Sequence, residues 1–184
     1  MAWLGGHLRV LGALALLSAC ASPASEAPPW PPGPSYPGAE NVVQLDVANI
    51  EVYPVAAVDP NAALDLRDAV ADWARSYLVP VGPSGRARIY INDAVVRERV
   101  LRTAASGTVR QYDGLVHVRI DVTDRGTQSV GFAGASASRS EVMPYDLDPW
   151  ERDRRLTAMA DAMLIDLEER LTSDIQTRLG RFIR

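Results

Sequence analysis

A stretch in which apolar and polar residues alternate strictly constrains the fold of this chain more than any other feature. In residues 115–122, LVHVRIDV, the even-numbered residues are apolar, and His117, Arg119 and Asp121 stand between them. A repeat of two residues is typical of a strand that buries only one of its faces. The chain must therefore supply neighbouring strands for this segment and a cover for its apolar face.

Neighbouring strands are predicted on both sides of this segment. Residues 86–102 alternate with a change of phase near Asn92–Asp93, which indicates a long strand with an irregularity. Residues 124–126, Asp-Arg-Gly, predict a hairpin turn, and the returning strand begins at Val130. The polar, glycine-bearing residues 103–114 predict a loop or a frayed hairpin end.

The first of two amphipathic helices is predicted after an earlier strand. Residues 42–53 alternate with a shift of phase near Ala48–Asn49, which predicts a strand with a bulge. Asn61 is then the expected helix N-cap, because its side chain can accept from the free N–H groups at a helix start. Pro80 ends the helical region. The apolar stripe of this helix comprises Leu66, Val70, Trp73 and Tyr77.

The second helix is long and has a clear start signal. Asp148 is the predicted cap, Pro149 occupies the first helical position, and Glu151 follows three residues after the cap. A stripe like the one that follows suits either a protein core or a helix on a membrane surface. We favour the core, because the sheet needs a cover and the polar face carries both acids and bases. The stripe comprises Ala160, Met163, Leu164, Leu167, Leu171, Ile175, Leu179 and Phe182.

These elements, in the order β-α-β-β-β-α, predict an α+β fold. About four mostly antiparallel strands form the expected sheet, and the two helices cover one of its faces. The other face is expected to be polar and open, with His117, Arg119 and Asp121 on it.

The only cysteine of the chain, Cys20, directly follows a short apolar segment. Residues 1–19 contain one arginine, Arg9, then an apolar run at 10–17 and small residues, a pattern typical of a secretory signal peptide. The run is shorter than the ~20 residues that a membrane-spanning helix needs. The sequence Leu17-Ser18-Ala19-Cys20 resembles the bacterial lipobox, which implies that residues 1–19 are removed and that Cys20 is acylated. Two or more acyl chains would hold the protein stably on a membrane.

The residues after Cys20 predict which membrane carries the protein and how the domain is joined to its anchor. Ala21 follows the cysteine, where an aspartate would favour the inner membrane, so we expect the outer membrane with the domain facing the periplasm. Residues 20–41 comprise the acylated cysteine and a tether that holds seven of the thirteen prolines, which predicts an extended spacer. A single α+β domain is expected over residues 42–184.

The composition excludes several classes of protein. The net charge is −4, and nucleic-acid binding needs a basic surplus, so we predict no nucleic-acid partner. All 19 basic residues are arginine, which excludes a P-loop, since that motif requires lysine. After Cys20 the chain has one histidine, His117, and no cysteine, too few for a zinc site. We predict no cofactor, no metal and no catalytic residue.

Four arginines cluster near the predicted end of the central hairpin. They are Arg97, Arg99, Arg102 and Arg110, with Glu98 among them. Such a cluster suits a solvated strand face with cross-strand ion pairs. That interpretation is favoured, and the alternative is a binding site for lipid phosphates or for an acidic protein partner.

The lipobox, the tether, the order of strands and helices and the long C-terminal helix together resemble the lipopolysaccharide-assembly lipoproteins of the LptE type. Most of the likeness lies between LVHVRIDVTDRGTQ and RLTAMADAMLIDLEERLTSDIQTRL. The resemblance implies a β-barrel partner and contact with lipopolysaccharide, and it assigns no site residues. The same layout also fits small auxiliary lipoproteins of lipid-trafficking transporters.

The leading hypothesis is a non-catalytic envelope lipoprotein, anchored through Cys20, that binds an outer-membrane or transporter protein or a lipid in lipopolysaccharide or lipid transport and assembly. One alternative is a periplasm-facing lipoprotein hydrolase that uses His117 or paired carboxylates. Another is a structural adaptor without a lipid ligand. The catalytic alternative requires its residues to lie together in a concave site.

Overall fold

The alternating segment forms part of an inner strand of a five-stranded sheet. The structure is a computed structural model that describes residues 42–103, 107–124 and 130–184. The strands are β1 (Val43–Leu45), β2 (Asn49–Pro54), β3 (Ala62–Asp65), β4 (Leu78–Pro80), β5 (Arg86–Thr103), β6 (Gly107–Thr123) and β7 (Val130–Pro144), and the helices are α1 (Arg67–Tyr77) and α2 (Pro149–Arg178). A short 3₁₀ helix, Gly180–Phe182, follows α2.

The architecture confirms the α+β prediction, with more strands than expected. The long strands β5, β6 and β7 pair antiparallel in chain order. On the other edge of β5, β2 pairs in parallel and β3 pairs antiparallel further along the same strand. The short strands β1 and β4 form a separate parallel pair.

The first helix begins later than its sequence suggested, and Asn61 is not its N-cap. Helix α1 starts after Leu66, whose side chain makes no capping hydrogen bond. The residues before Leu66 form β3, which pairs with Val95–Arg97 of β5. Backbone pairing with a long neighbouring strand therefore outweighs the helical spacing of this segment, as tertiary context often overrides propensity. The N–H of Asn61 instead donates to the Asp59 carboxylate at 3.0 Å.

Two other predicted boundaries are wrong. The first predicted strand is divided into β1 and β2, which belong to different sheets, so the phase shift near Ala48 marks a crossing rather than a bulge. Residues 107–114 are strand rather than loop, because they pair with the extended end of β5. The irregularity predicted near Asn92–Asp93 is confirmed between Ile91 and Asp93. Most of the predicted turn at residues 124–126 lies outside the described residues.

Both helices pack on one face of the sheet and close a single core. Asp148 caps α2 as predicted, since its carboxylate accepts from the N–H groups of Trp150 at 2.9 Å and Glu151 at 3.4 Å. Every residue of the predicted α2 stripe is buried, which confirms that the stripe is core. Trp73 of α1 donates to the Glu168 carboxylate of α2 at 3.3 Å, which joins the two helices.

Side chains of α2 and of the residue that follows it approach the sheet closely at two glycines. A Cβ atom at Gly114 of β6 would lie 2.7 Å from the thioether of Met163. A Cβ at Gly131 of β7 would lie 2.6 Å from Leu179. Both distances are shorter than ordinary van der Waals contact, so the missing side chains let the helix pack closely on these strands.

Polar side chains near the C-terminal end of the chain bind the outer edge of β7. Asp174 accepts from the N–H of Gly134 at 2.9 Å. Arg170 donates to the carbonyl of Ser136 at 2.8 Å, and Arg181 donates to the carbonyl of Val130 at 2.5 Å. These bonds satisfy backbone groups that an edge strand would otherwise offer to another strand.

Candidate functional site

The structure divides the four candidate arginines between the two faces of the sheet. Arg97 and Arg99 lie on the face away from the helices, which we call the open face. Arg97 pairs with Asp59 at 2.8 Å, and Arg99 pairs with Asp113 at 2.6 Å. The Arg99–Asp113 contact is a cross-strand ion pair of the kind that the sequence also allowed, whereas Asp59 lies in the loop between β2 and β3.

The other two arginines lie on the helix side, where β5 and β6 extend beyond the core. Arg110 pairs with Glu98 on the neighbouring strand and donates to the carbonyl of Tyr145 at 3.1 Å. Its guanidinium also lies 4.4 Å from the centre of the Tyr145 ring, a cation–π distance. The hydroxyl of Tyr112 donates to Glu98 at 3.1 Å, so Arg110 is held in a fixed network.

Arg102 shares this side with Arg110 but is exposed, and among the described residues it has no ion-pair partner. Large apolar side chains are exposed around the same end of the sheet. Val100 is 54 % exposed, Tyr145 48 % and Trp150 64 %. We call Val100, Arg102, Arg110, Tyr145 and Trp150 the hairpin end. It combines cationic groups with exposed aromatic and aliphatic surface, which suits an amphiphilic ligand that carries phosphate.

The catalytic alternative centres on His117, and the structure places two suggestive residues beside it. Asp93 of β5 and Ser136 of β7 are the register partners of His117, so the three residues form one row across the open face. No hydrogen bond joins these side chains among the described residues. A Ser–His–Asp mechanism needs contacts of about 2.6–3.2 Å between its members, and this row does not make them.

The acidic residues do not form a metal site in the part of the chain that the structure describes. No group of three or more His, Cys, Asp or Glu residues lies close enough there to hold a metal ion. Asp148 is occupied as the cap of α2, and Asp121 pairs with Arg119 at 2.7 Å. Within the same residues, no helix has the length and apolar character needed to cross a membrane. Cys20 lies outside the described residues, so its acylation stays a prediction.

A second group of arginines, which the sequence analysis did not identify, lies on the open face. Arg86, Arg88, Tyr90, Arg119 and Phe132 line a concavity of about 320 Å³ near the start of β5, and we call them the β5-start site. They come from three strands that the register brings side by side. The alternation along β5 could have predicted that Arg86, Arg88 and Tyr90 share a face, because residues two apart in a strand point the same way.

The electrostatics of the β5-start site are set by two neighbouring carboxylates. Glu51 lies 3.3 Å from Arg86 Nε and 3.5 Å from Arg88 Nε. The hydroxyl of Tyr53 donates to Glu51 at 2.6 Å and lowers the pKa of its carboxyl, and the two arginines lower that pKa further. Asp121 pairs with Arg119 on the other side of the site.

A comparison with protein families gives a match over most of the chain. A family model described as "LptE: Lipopolysaccharide-assembly" matches residues 44–179. A search of curated protein sequences found no significant match.

Solved structures show distant likenesses. A minor lipoprotein from Acinetobacter baumannii is 15 % identical, with 72 % of this chain and 93 % of that chain covered and a TM-score of 0.40. A neuraminyllactose-binding hemagglutinin homolog from Helicobacter pylori is 7 % identical, with 71 % and 88 % covered and a TM-score of 0.40. Likenesses this weak say nothing about what this chain binds.

Proposed function

The chain belongs to the LptE family of lipopolysaccharide-assembly proteins, and from this membership we propose that it acts in lipopolysaccharide assembly by binding rather than by catalysis. The observation that carries the proposal is the family match, which spans both helices and all five strands of the large sheet. In this proposal the protein is an outer-membrane lipoprotein, anchored through acylated Cys20 and with its domain, residues 42–184, facing the periplasm.

The partner in this proposal is an outer-membrane protein, as the family implies, and the lipid is lipopolysaccharide. The hairpin end is the proposed contact for the lipid. Its exposed Tyr145 and Trp150 offer surface for acyl chains or sugar rings, while Arg102 offers donors for a phosphate. The fixed network around Arg110 supports this assignment, because a site that is held in place loses less entropy on binding.

Binding of purified lipopolysaccharide tests this site. We expect Arg102→Ala, in the chain from residue 20 with Cys20→Ser, to weaken binding about tenfold, since a hydrogen bond to a charged group contributes ~1.5–3 kcal/mol. The matched control is Arg75→Ala, an exposed arginine of α1 that pairs with Asp72. Dephosphorylated lipopolysaccharide should bind the parent and Arg102→Ala equally weakly. Equal binding by Arg102→Ala and the parent would remove the hairpin end from the proposal.

The anchor is tested separately. Cys20→Ala should abolish incorporation of labelled fatty acid, and it should leave the precursor unmodified or release a soluble protein into the periplasm. Equal labelling of the variant and the parent would show that another residue carries the lipid.

A further inference from the structure

We propose that the β5-start site binds a phosphate ester, at a place separate from the hairpin end. The two sites lie at opposite ends of β5, where Arg88 and Arg102 are 14 residues and so at most about 46 Å apart at ~3.3 Å per residue. The proposal therefore goes beyond the lipopolysaccharide contact and does not depend on it.

The register assembles the site from residues far apart in the chain. Across the open face, Glu51, Arg88, Asp121 and Phe132 are successive partners in one row. Arg86 lies in the row before it, and Arg119 lies in the row after it. Three guanidinium groups are thus grouped around two carboxylates, in a chain that is acidic as a whole. This local excess of positive charge favours an anion.

The existing ion pairs leave donors for a ligand. The closest carboxylate contact of each arginine is made by Nε, which is one of five N–H donors on a guanidinium. The contacts of Arg86 and Arg88 with their shared Glu51, at 3.3 and 3.5 Å, exceed the 2.7–2.9 Å of a close charge-assisted bond. A phosphate has three or four oxygens and matches the geometry of several guanidinium groups at once.

Aromatic rings give the site a second kind of surface. Phe132 is 52 % exposed, and the guanidinium groups of Arg119 and Arg178 lie 5.3 and 5.5 Å from its centre. Tyr53 and Tyr90 stack at 5.6 Å on the same face. Rings beside cations suit an ester whose organic part contacts the aromatic surface, rather than a bare inorganic ion.

Two probes test the proposal and identify the source of the phosphate. The chain from residue 20 with Cys20→Ser is titrated with glycerol 3-phosphate, and separately with vesicles of phosphatidylcholine alone or mixed with phosphatidylglycerol. Arg88→Gln and Arg119→Gln remove charge from the site, and Arg75→Gln on α1 is the matched control. Thermal melting of each variant verifies that it is folded.

We expect binding to fall about fivefold for each site arginine, the effect of one basic residue near an anionic surface, and to stay unchanged for Arg75→Gln. Binding of glycerol 3-phosphate would support the proposal with a soluble ester as ligand. Binding of the phosphatidylglycerol vesicles alone would support it with a lipid headgroup as ligand. The proposal is overturned if neither probe binds, or if folded Arg88→Gln and Arg119→Gln bind as the parent does.

Discussion

The two faces of the central sheet use the same strands in opposite ways. On the helix side, β6 presents Val116, Val118, Ile120 and Val122, all fully buried. On the open face the same strand presents polar residues that pair with their neighbours, as Asp113 does with Arg99 at 2.6 Å. The helix side thus gains free energy from apolar burial, at ~25 cal/mol per Å², whereas an exposed ion pair contributes ~0–1 kcal/mol.

This difference indicates which surfaces of the molecule tolerate substitution without unfolding. Substitutions on the helix side create cavities, so that face is constrained by packing. The open face holds its residues by pairs that are individually weak, and the hairpin end is exposed, so these surfaces can be altered for binding at little cost in stability. Four substitutions or conditions test this contrast.

The largest effect is expected from Leu167→Ala, in the middle of the α2 stripe. Leu167 is fully buried, and truncation of a buried leucine costs ~2–5 kcal/mol of a total stability of ~5–15 kcal/mol. Thermal unfolding followed by circular dichroism should show a fall of many degrees. The control is Glu169→Ala, because Glu169 is exposed. Its neighbour Glu168 is unsuitable as a control, since its carboxylate accepts a hydrogen bond from Trp73. A parent-like melting temperature with lost binding would instead make the stripe an interaction surface.

A smaller effect is expected from Asp174→Ala, which frees the edge of β7. The variant loses the bond from the N–H of Gly134 and the 2.6 Å contact with Arg178. We expect a loss of ~1 kcal/mol in the free energy of unfolding, measured by urea titration. Asp166→Ala removes an ion pair with the Arg139 side chain and is the control. If both variants lose the same amount, the backbone bond adds nothing to edge protection.

The third effect depends on pH and involves two carboxylates, Asp174 of α2 and Asp113 on the open face. Burial alone would raise the pKa of Asp174, but the Gly134 N–H and Arg178 lower it overall. Burial alone would also raise the pKa of Asp113, but the contacts with Gln111, Ser140 and Arg99 outweigh it, so that this pKa is lowered overall.

A folded-state pKa below the unfolded value of ~3.9 gives stability that is present above that value and is lost as pH falls through the folded pKa. Urea midpoints should therefore decrease on acidification below about pH 4, and they should decrease less in Asp174→Asn and Asp113→Asn. An unchanged acid response in both variants would contradict the assigned shifts.

The smallest effect is expected from His117→Ala on the open face. His117 shares a row with Asp93 and Ser136 without a hydrogen bond to either, so the free energy of unfolding should change by less than ~0.5 kcal/mol. Lipopolysaccharide binding at the hairpin end should also be unchanged. Ester or peptide hydrolysis by the parent that disappears in this variant would revive the hydrolase alternative.

The sequence by itself determined the elements whose signal is local. The alternation of residues 115–122 and the stripe of α2 specify a one-sided strand and a covering helix, because period and burial are linked by backbone geometry. The cap at Asp148 was readable for the same reason, since the bonds that define it span only two or three residues.

Tertiary structure alone decided which residues meet across strands. Ala62–Asp65 became a strand because β5 offered an unpaired edge, a condition that the helical spacing of that segment does not contain. The irregularity after Ile91, which the sequence already predicted, places Arg97 and Arg99 on one face of β5 and Arg102 on the other, but only the pairing with β6 brings Arg110 beside Arg102. The β5-start site likewise depends on the register of three strands, and register is set by long-range pairing that no local pattern encodes.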